Sequence, residues 1–225
     1  QKLPLFRIFF FFQSTVMNIA LLCLTIVGVQ SSYMDCGDGV ELCGVLTVES
    51  GLGSGNYEHD EPCVHGLWPE NGSYGTSDCD APDDTSDPTS VYTCYEESGD
   101  DDQDIISFEV HEWEKHGECA GVEDEDDYFT QICSMAKDPI SIMSSTRSAG
   151  GDIYDMQSAV EDAGYEVFSV DSSNAQLLLS ACAKNGQWTL AAQDDFSSVC
   201  GSSSLQDNGS SHPFYQQQQR SNLRH

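Results

Sequence analysis

Ten cysteines at irregular spacing, with no Cys-x-x-Cys pair among them, constrain this 225-residue chain more than any other feature. Zinc ribbons and thioredoxin-like redox folds need the paired spacing, so the pattern points to disulfides and an oxidising compartment. The beginning of the chain agrees. Met17 to Val29 is an apolar run of signal-peptide length, and Met17 to about Ser31 reads as a cleaved secretion signal. The competing reading is a signal anchor over Leu3 to Val29, interrupted by Gln13, Ser14 and Asn18. Residues 1–16 then read as translated leader or cloning remnant. Loss of Cys23 with the signal leaves nine cysteines, so at least one stays outside any intrachain disulfide. The sequons at Asn71 and Asn208 suit a secreted glycoprotein.

The length allows one domain with a full core. A formal charge of −30 keeps such a chain soluble and repels other polyanions, which tells against a nucleic-acid scaffold. Between Cys36 and Cys200 the only Lys or Arg side chains are Lys115, Lys137, Arg147 and Lys184. The acidic runs 80–87, 100–104 and 123–127 read as solvated loop, with adaptation to a salty or acidic medium as the alternative. None has EF-hand spacing, so a calcium-binding module is not supported.

Along the chain, Val45 to Val48 reads as a strand and 71–104 as long surface loop tied down by Cys79 and Cys94. Helices are predicted over Asp124–Ala136 and Asp152–Ala163, the second stopped by Gly164. Tyr165 to Val170 alternates like a strand, and Lys184-Asn185-Gly186 between two apolar runs is a hairpin signal. From Ser202 the tail is rich in Ser, Gln and Asn without apolar period, and disorder is expected. Helices followed by paired strands predict an α+β domain.

The chemistry lies in two segments, His65-Gly66-Leu67-Trp68-Pro69 and His111-Glu112-Trp113-Glu114-Lys115-His116. Two histidines can divide acid and base roles near neutral pH, and a lysine supplies the fixed charge a phosphate transition state needs. On a helix, 111, 115, 112 and 116 fall within an arc of about 140°, with Trp113 turned to the core. The rival is a His-Glu-x-x-His zinc site, but Lys115 occupies the ligand position four after His111. No metal or cofactor is expected. Alone, His65 next to a tight turn and a tryptophan is more often structural.

Together, His-Gly-Leu-Trp-Pro some forty residues before His-Glu-Trp-x-Lys-His-Gly-x-Cys resembles the two signature segments of the ribonuclease T2 family, secreted or vacuolar acid endoribonucleases. The resemblance covers about residues 60 to 200. It implies His65 as the general acid toward the leaving 5′ oxygen and His116 as the base toward the ribose 2′-OH. His111 matches the phosphate-binding histidine, and Glu112 and Lys115 match the pair that orients and stabilises the five-coordinate phosphorus. Trp68 and Tyr74 match aromatic positions that sandwich a base, with Glu70 as an acceptor for an exocyclic amine.

The resemblance further implies disulfides Cys79–Cys119 and Cys182–Cys200, and Cys36–Cys43 by the same analogy. Two departures stand out. Glu109 follows Phe108 where the family has Trp, and is expected to face solvent; the family's early Trp-Pro strand motif is not recognisable between Tyr33 and Gly53. The implied architecture is a single disulfide-stapled α+β domain, a central antiparallel sheet with flanking helices over 32–201, after a 1–31 leader and before a 202–225 tail. The implied partner is single-stranded RNA, not DNA, acted on by a monomer without stable membrane association, outside the cell or in the vacuolar-lysosomal lumen. The alternative is a catalytically silent secreted relative acting in storage or protein recognition.

Overall fold

Asn185 and Gly186 both hold positive φ, 51° and 75°, the left-handed pair that lets two strands reverse without splaying. The computed structural model describes residues 34–70, 79, 81–96 and 101–202. Residues 1–31, Asn71, Tyr74, Asn208 and the expected tail beyond Ser202 lie outside the described residues.

The Asn185-Gly186 turn joins β4 (Gln176–Lys184) to β5 (Gln187–Leu190). With β1 (Leu42–Glu49), β2 (Cys63–Pro69) and β3 (Val167–Asp171) they form one antiparallel sheet in the order β2-β1-β4-β3, with β5 also paired to β4. Strand alternation distributes β1 between two cores. Leu46 and Val48 join the large cluster with Val64, Leu67, Leu177 and Leu179, while Cys43 and Val45 face a smaller one with Met34, Cys182, Phe196 and Cys200.

The helices are α1 (Asp102–Lys115), α2 (Glu125–Ser148), α3 (Ile153–Asp162) and the short α4 (Phe196–Val199). Trp113, Tyr128, Phe129, Ile132, Met156 and Val160 bury the inner faces of the first three against the larger core. Asp152 and Asp155 form a reciprocal capping box at the start of α3, and Gly164 at φ 96° follows its end, as expected.

Two of the acidic runs hold helix starts: 101–104, read as loop, opens α1, and 124–127 opens α2 where a helix from Asp124 was expected. Asp101 caps α1 by accepting from the Gln103 and Asp104 amides, and Asp124 caps α2 by accepting from the Asp127 amide. Carboxylates belong there because they satisfy free amides and oppose the positive end of the helix dipole. The second helix also runs beyond the expected end at Ala136, through Pro139 to Ser148. Proline removes one helix donor, but Ile132, Ala136, Pro139 and Met143 are buried at helical spacing, and that packing keeps the helix intact.

Among the described residues there are four disulfides: Cys36–Cys43, Cys79–Cys119, Cys94–Cys133 and Cys182–Cys200. Three match the pairings the resemblance implied. The fourth fastens the segment before α1 to the middle of α2. Cys63 is in none of these four. Among the described residues, no helix is long and apolar enough to cross a membrane.

Candidate active site

His65 lies on β2 rather than at a turn, at an irregularity of that strand. Thr47 of β1 pairs with Gly66 and Val48 with Val64, so His65 is the residue the ladder skips. Such a bulge changes the alternation locally and re-aims a side chain. Val64 and Leu67 can therefore both reach the core, while His65 turns toward the end of β1 and the last turn of α1.

Two carboxylates receive it. His65 Nδ1–H donates to Glu49 Oε1 at 2.5 Å, and its Nε2 lies 3.5 Å from Glu112 Oε1. Both acids are buried, Glu49 6% and Glu112 1% exposed. The second Glu112 oxygen accepts from Trp68 Nε1–H at 2.9 Å, and Gln176 Nε2–H donates to Glu49 Oε1 at 3.1 Å. Gly66 is required between them, because a Cβ there would fall on the Glu112 carboxylate.

Burial alone would push the His65 pKa down, but hydrogen bonds and charge from Glu112 and Glu49 outweigh it and raise the pKa to about 9. His65 is thus an imidazolium at neutral pH. Glu49 also loses solvation on burial, yet its hydrogen bonds to His59 and His65 hold it below the usual carboxylate range.

His116 sits where α1 ends, its amide hydrogen-bonded to the Glu112 carbonyl at 2.9 Å. Its ring lies 5.3 Å from Trp68 at a 33° tilt, and Trp68 stands edge-on to His65 at 5.0 Å. Burial pushes the His116 pKa down, and the charges of His65, His111 and Lys115 add to this against an opposing contribution from Glu112. The two histidines flanking one indole are therefore driven in opposite directions. Pairs of titratable groups separated in this way can serve as acid and base at one pH.

Lys115 and His111, one turn apart on α1, are both exposed, and among the described residues Lys115 makes no ion pair. Trp113 is fully buried behind them, as helical geometry predicts. His65, Trp68, Glu112 and His116 converge directly, and Lys115 and His111 border them through the helix. Glu70 is turned aside: its Oε2 accepts from the Met34 amide at 3.4 Å, and burial raises its pKa.

The expectation that Glu109 faces solvent is wrong. It is fully buried, with Oε1 accepting from the Tyr92 amide at 2.8 Å and Oε2 without a partner. Its position on α1 falls on the core side, between Ile105 and Trp113, and helix geometry overrides the preference of a carboxyl for water. Burial raises its pKa to about 7.

Glu49 and Gln176 were missed from the sequence. They are opposite partners on β1 and β4, brought together from 127 positions apart. The available signal was an acid closing the apolar run Val45 to Val48. Tyr57 stacks on His65 at 6.1 Å and Phe108 meets it edge-on at 5.1 Å, lining with Glu49, His59 and Tyr95 a cavity of about 470 Å³ that His65 borders and Trp68 does not.

Residues 43–151 match the profile of the ribonuclease T2 family, a span that holds His65, Trp68, Glu112, His116 and the Cys79–Cys119 and Cys94–Cys133 disulfides. No curated protein and no solved structure matches the chain. The match supports a ribonuclease with RNA as its substrate, and four disulfides suit a secreted or vacuolar setting. On this footing the chain belongs to the ribonuclease T2 family.

Proposed function

We propose that this chain cleaves single-stranded RNA by transesterification, without a metal in the chemistry. The observation that carries the reading is the convergence of His65, Glu112 and His116 around Trp68, with Lys115 exposed beside them. The ribose 2′-OH is three bonds from phosphorus and supplies its own nucleophile, so the protein needs an acid, a base and positive charge.

In this reading neutral His116 takes the 2′-OH proton as that oxygen attacks phosphorus. Lys115 and His111 stabilise the charge that builds on the equatorial oxygens. His65, held protonated by Glu49 and Glu112, delivers its Nε2 proton to the departing 5′ oxygen. The 2′,3′-cyclic phosphate is then opened by water to a 3′-phosphate, with the two histidines exchanging roles. Glu112 orients His65 and Trp68 together. Trp68 already packs on both histidines, so it serves the geometry of the acid–base pair as well as any stacked base. The imidazolium at His65 and the lowered His116 pKa support this division of roles.

His65→Phe and His116→Phe should each abolish cleavage of single-stranded RNA while near-ultraviolet circular dichroism stays native, and EDTA should not abolish the parent activity. Chromatography of an early digest should show cyclic phosphate ends, and DNA should be inert. Full activity in either histidine variant rejects the assignment.

A further inference from the structure

The cluster that holds His65 from behind contains a set of donors of which only Glu49 enters the cleavage reading, and that through its other oxygen. Glu49 and Cys63 are direct cross-strand partners at the paired ends of β1 and β2. The loop between these strands carries His59 back over them, fixed by a Leu52–Glu58 bridge and by the His59 amide bonding to the Gly51 carbonyl. His59 Nε2 lies 3.0 Å from Glu49 Oε2 and 3.6 Å from Cys63 Sγ, and the three donor atoms all lie within 4.8 Å of one another. We propose that Glu49, His59 and Cys63 form a binding site for Zn²⁺, adjoining the acid–base pair and sharing the Glu49 carboxylate with it.

Four arguments carry it. The first is distance: tetrahedral zinc with bonds of about 2.3 Å to sulfur and about 2.05 Å to nitrogen and oxygen sets S···N near about 3.6 Å and N···O near about 3.3 Å. The Cys63–His59 separation is 3.6 Å and the His59–Glu49 separation 3.0 Å, so two of the three edges need little adjustment.

The second is charge. A thiolate and a carboxylate balance a divalent cation, and the mixed sulfur, imidazole and carboxylate set suits zinc over calcium or magnesium. Binding replaces the Nε2 proton of His59 and the thiol proton of Cys63, so neither donor is left unpaired. The third is orientation: His59 Nδ1–H donates to the Glu61 carbonyl at 2.6 Å, which presents Nε2 to the other two donors. Ligating histidines are commonly held in this way through their second nitrogen.

The fourth is access with enclosure. The side chains of His59 and Glu49 are 6% and 8% exposed and Cys63 is 3% exposed, yet all three line the cavity beside His65, which leaves room for a water in the fourth position. Glu49 uses Oε2 toward this site and Oε1 toward His65, so the bound ion and the candidate acid share one carboxylate.

The test is metal binding to the full chain with its disulfides intact, which does not depend on RNA cleavage. Co²⁺ serves as the spectroscopic probe. One equivalent should produce a thiolate-to-cobalt charge-transfer band with the strong visible bands of a four-coordinate site, and one equivalent of Zn²⁺ should displace it. Cys63→Ala should remove the charge-transfer band, and His59→Ala should weaken Zn²⁺ binding by about tenfold or more. Zn²⁺ should also slow alkylation of Cys63 in the parent chain at least tenfold, a measurement that needs no variant to fold.

Only weak, six-coordinate cobalt spectra without a thiolate band would mean binding by surface carboxylates and would overturn the site. So would a charge-transfer band that survives in Cys63→Ala, unchanged Zn²⁺ affinity in folded His59→Ala, or an alkylation rate indifferent to Zn²⁺.

Discussion

Single carboxyls decide the electrostatics here. Glu49 faces His65 Nδ1, and with Glu112 it overcomes a desolvation that would otherwise leave the ring neutral. Removing its charge should therefore move one limb of the pH profile and not the other. In metal-free Glu49→Gln the alkaline fall of kcat/KM, expected near pH 9 in the parent, should shift down by about 1 to 3 units. The acid limb, assigned in the proposed reaction to His116 and expected below that ring's ordinary value of 6.5, should stay in place. An unmoved alkaline limb would show that Glu49 does not hold the acid. Glu109 gives a stability counterpart. Burial raises its folded pKa to about 7, above the ordinary glutamate value of 4.5. Its contribution is therefore full below 4.5 and lost as pH rises through 7, at about 1.4 kcal/mol per unit. Glu109→Gln keeps an acceptor for the Tyr92 amide and removes the titration. Thermal melts should find the variant more stable than the parent at pH 8 but not at pH 4.5; a constant difference would remove the linkage.

The elements divide into those with a local cause and those without one. The Cys94–Cys133 disulfide closes a separation of 39 residues and ties the segment before α1 to α2. By loop-closure entropy it contributes about 4 kcal/mol. A Cys94→Ser, Cys133→Ser double variant should lose stability on that order in denaturant melts, and an unchanged midpoint would mean that packing alone fixes the segment. This pairing was not legible in the sequence, because irregular spacing leaves connectivity open without a family analogy. The β4–β5 hairpin and α3 were legible: Asn185-Gly186 and the Asp152 cap with Gly164 are local signals, satisfied by residues a few positions apart. The second half of α2 was not, since Pro139 is a local stop signal that burial over Ala136 to Met143 overrides. The site divides in the same way. Glu112, Lys115 and His116 lie within one helical turn and its cap, so their proximity was legible from spacing. Glu49 and Gln176 needed the sheet to bring distant positions together, and the bulge that aims His65 exists only once β1 and β2 are paired.

At the scale of the whole molecule, 38 acidic against 8 basic side chains set a problem for any protein that takes RNA. Nucleic-acid affinity normally falls with salt, because bound cationic side chains release counterions from the phosphates. Here the long-range field is repulsive, and among the described residues the only Lys or Arg placed beside the candidate site is Lys115 at the exposed end of α1. The two contributions differ in range. Repulsion sums over the surface and is damped within a Debye length of about 10 Å at 0.1 M salt, whereas the proposed contacts of Lys115, His111 and His65 with one phosphate would act at a few ångströms and be screened less. Salt should therefore remove the obstacle before it weakens the contacts. The expected outcome is that kcat/KM for a short single-stranded RNA rises between about 10 mM and about 100 mM salt, mainly through a lower KM, and declines only at higher concentration. Lys115→Ala should lower kcat by about 10²-fold and keep the rising limb, because that limb belongs to the net charge and not to the site. A parent profile that falls steadily from the lowest salt would mean that the acidic surface is turned away from the path of the RNA.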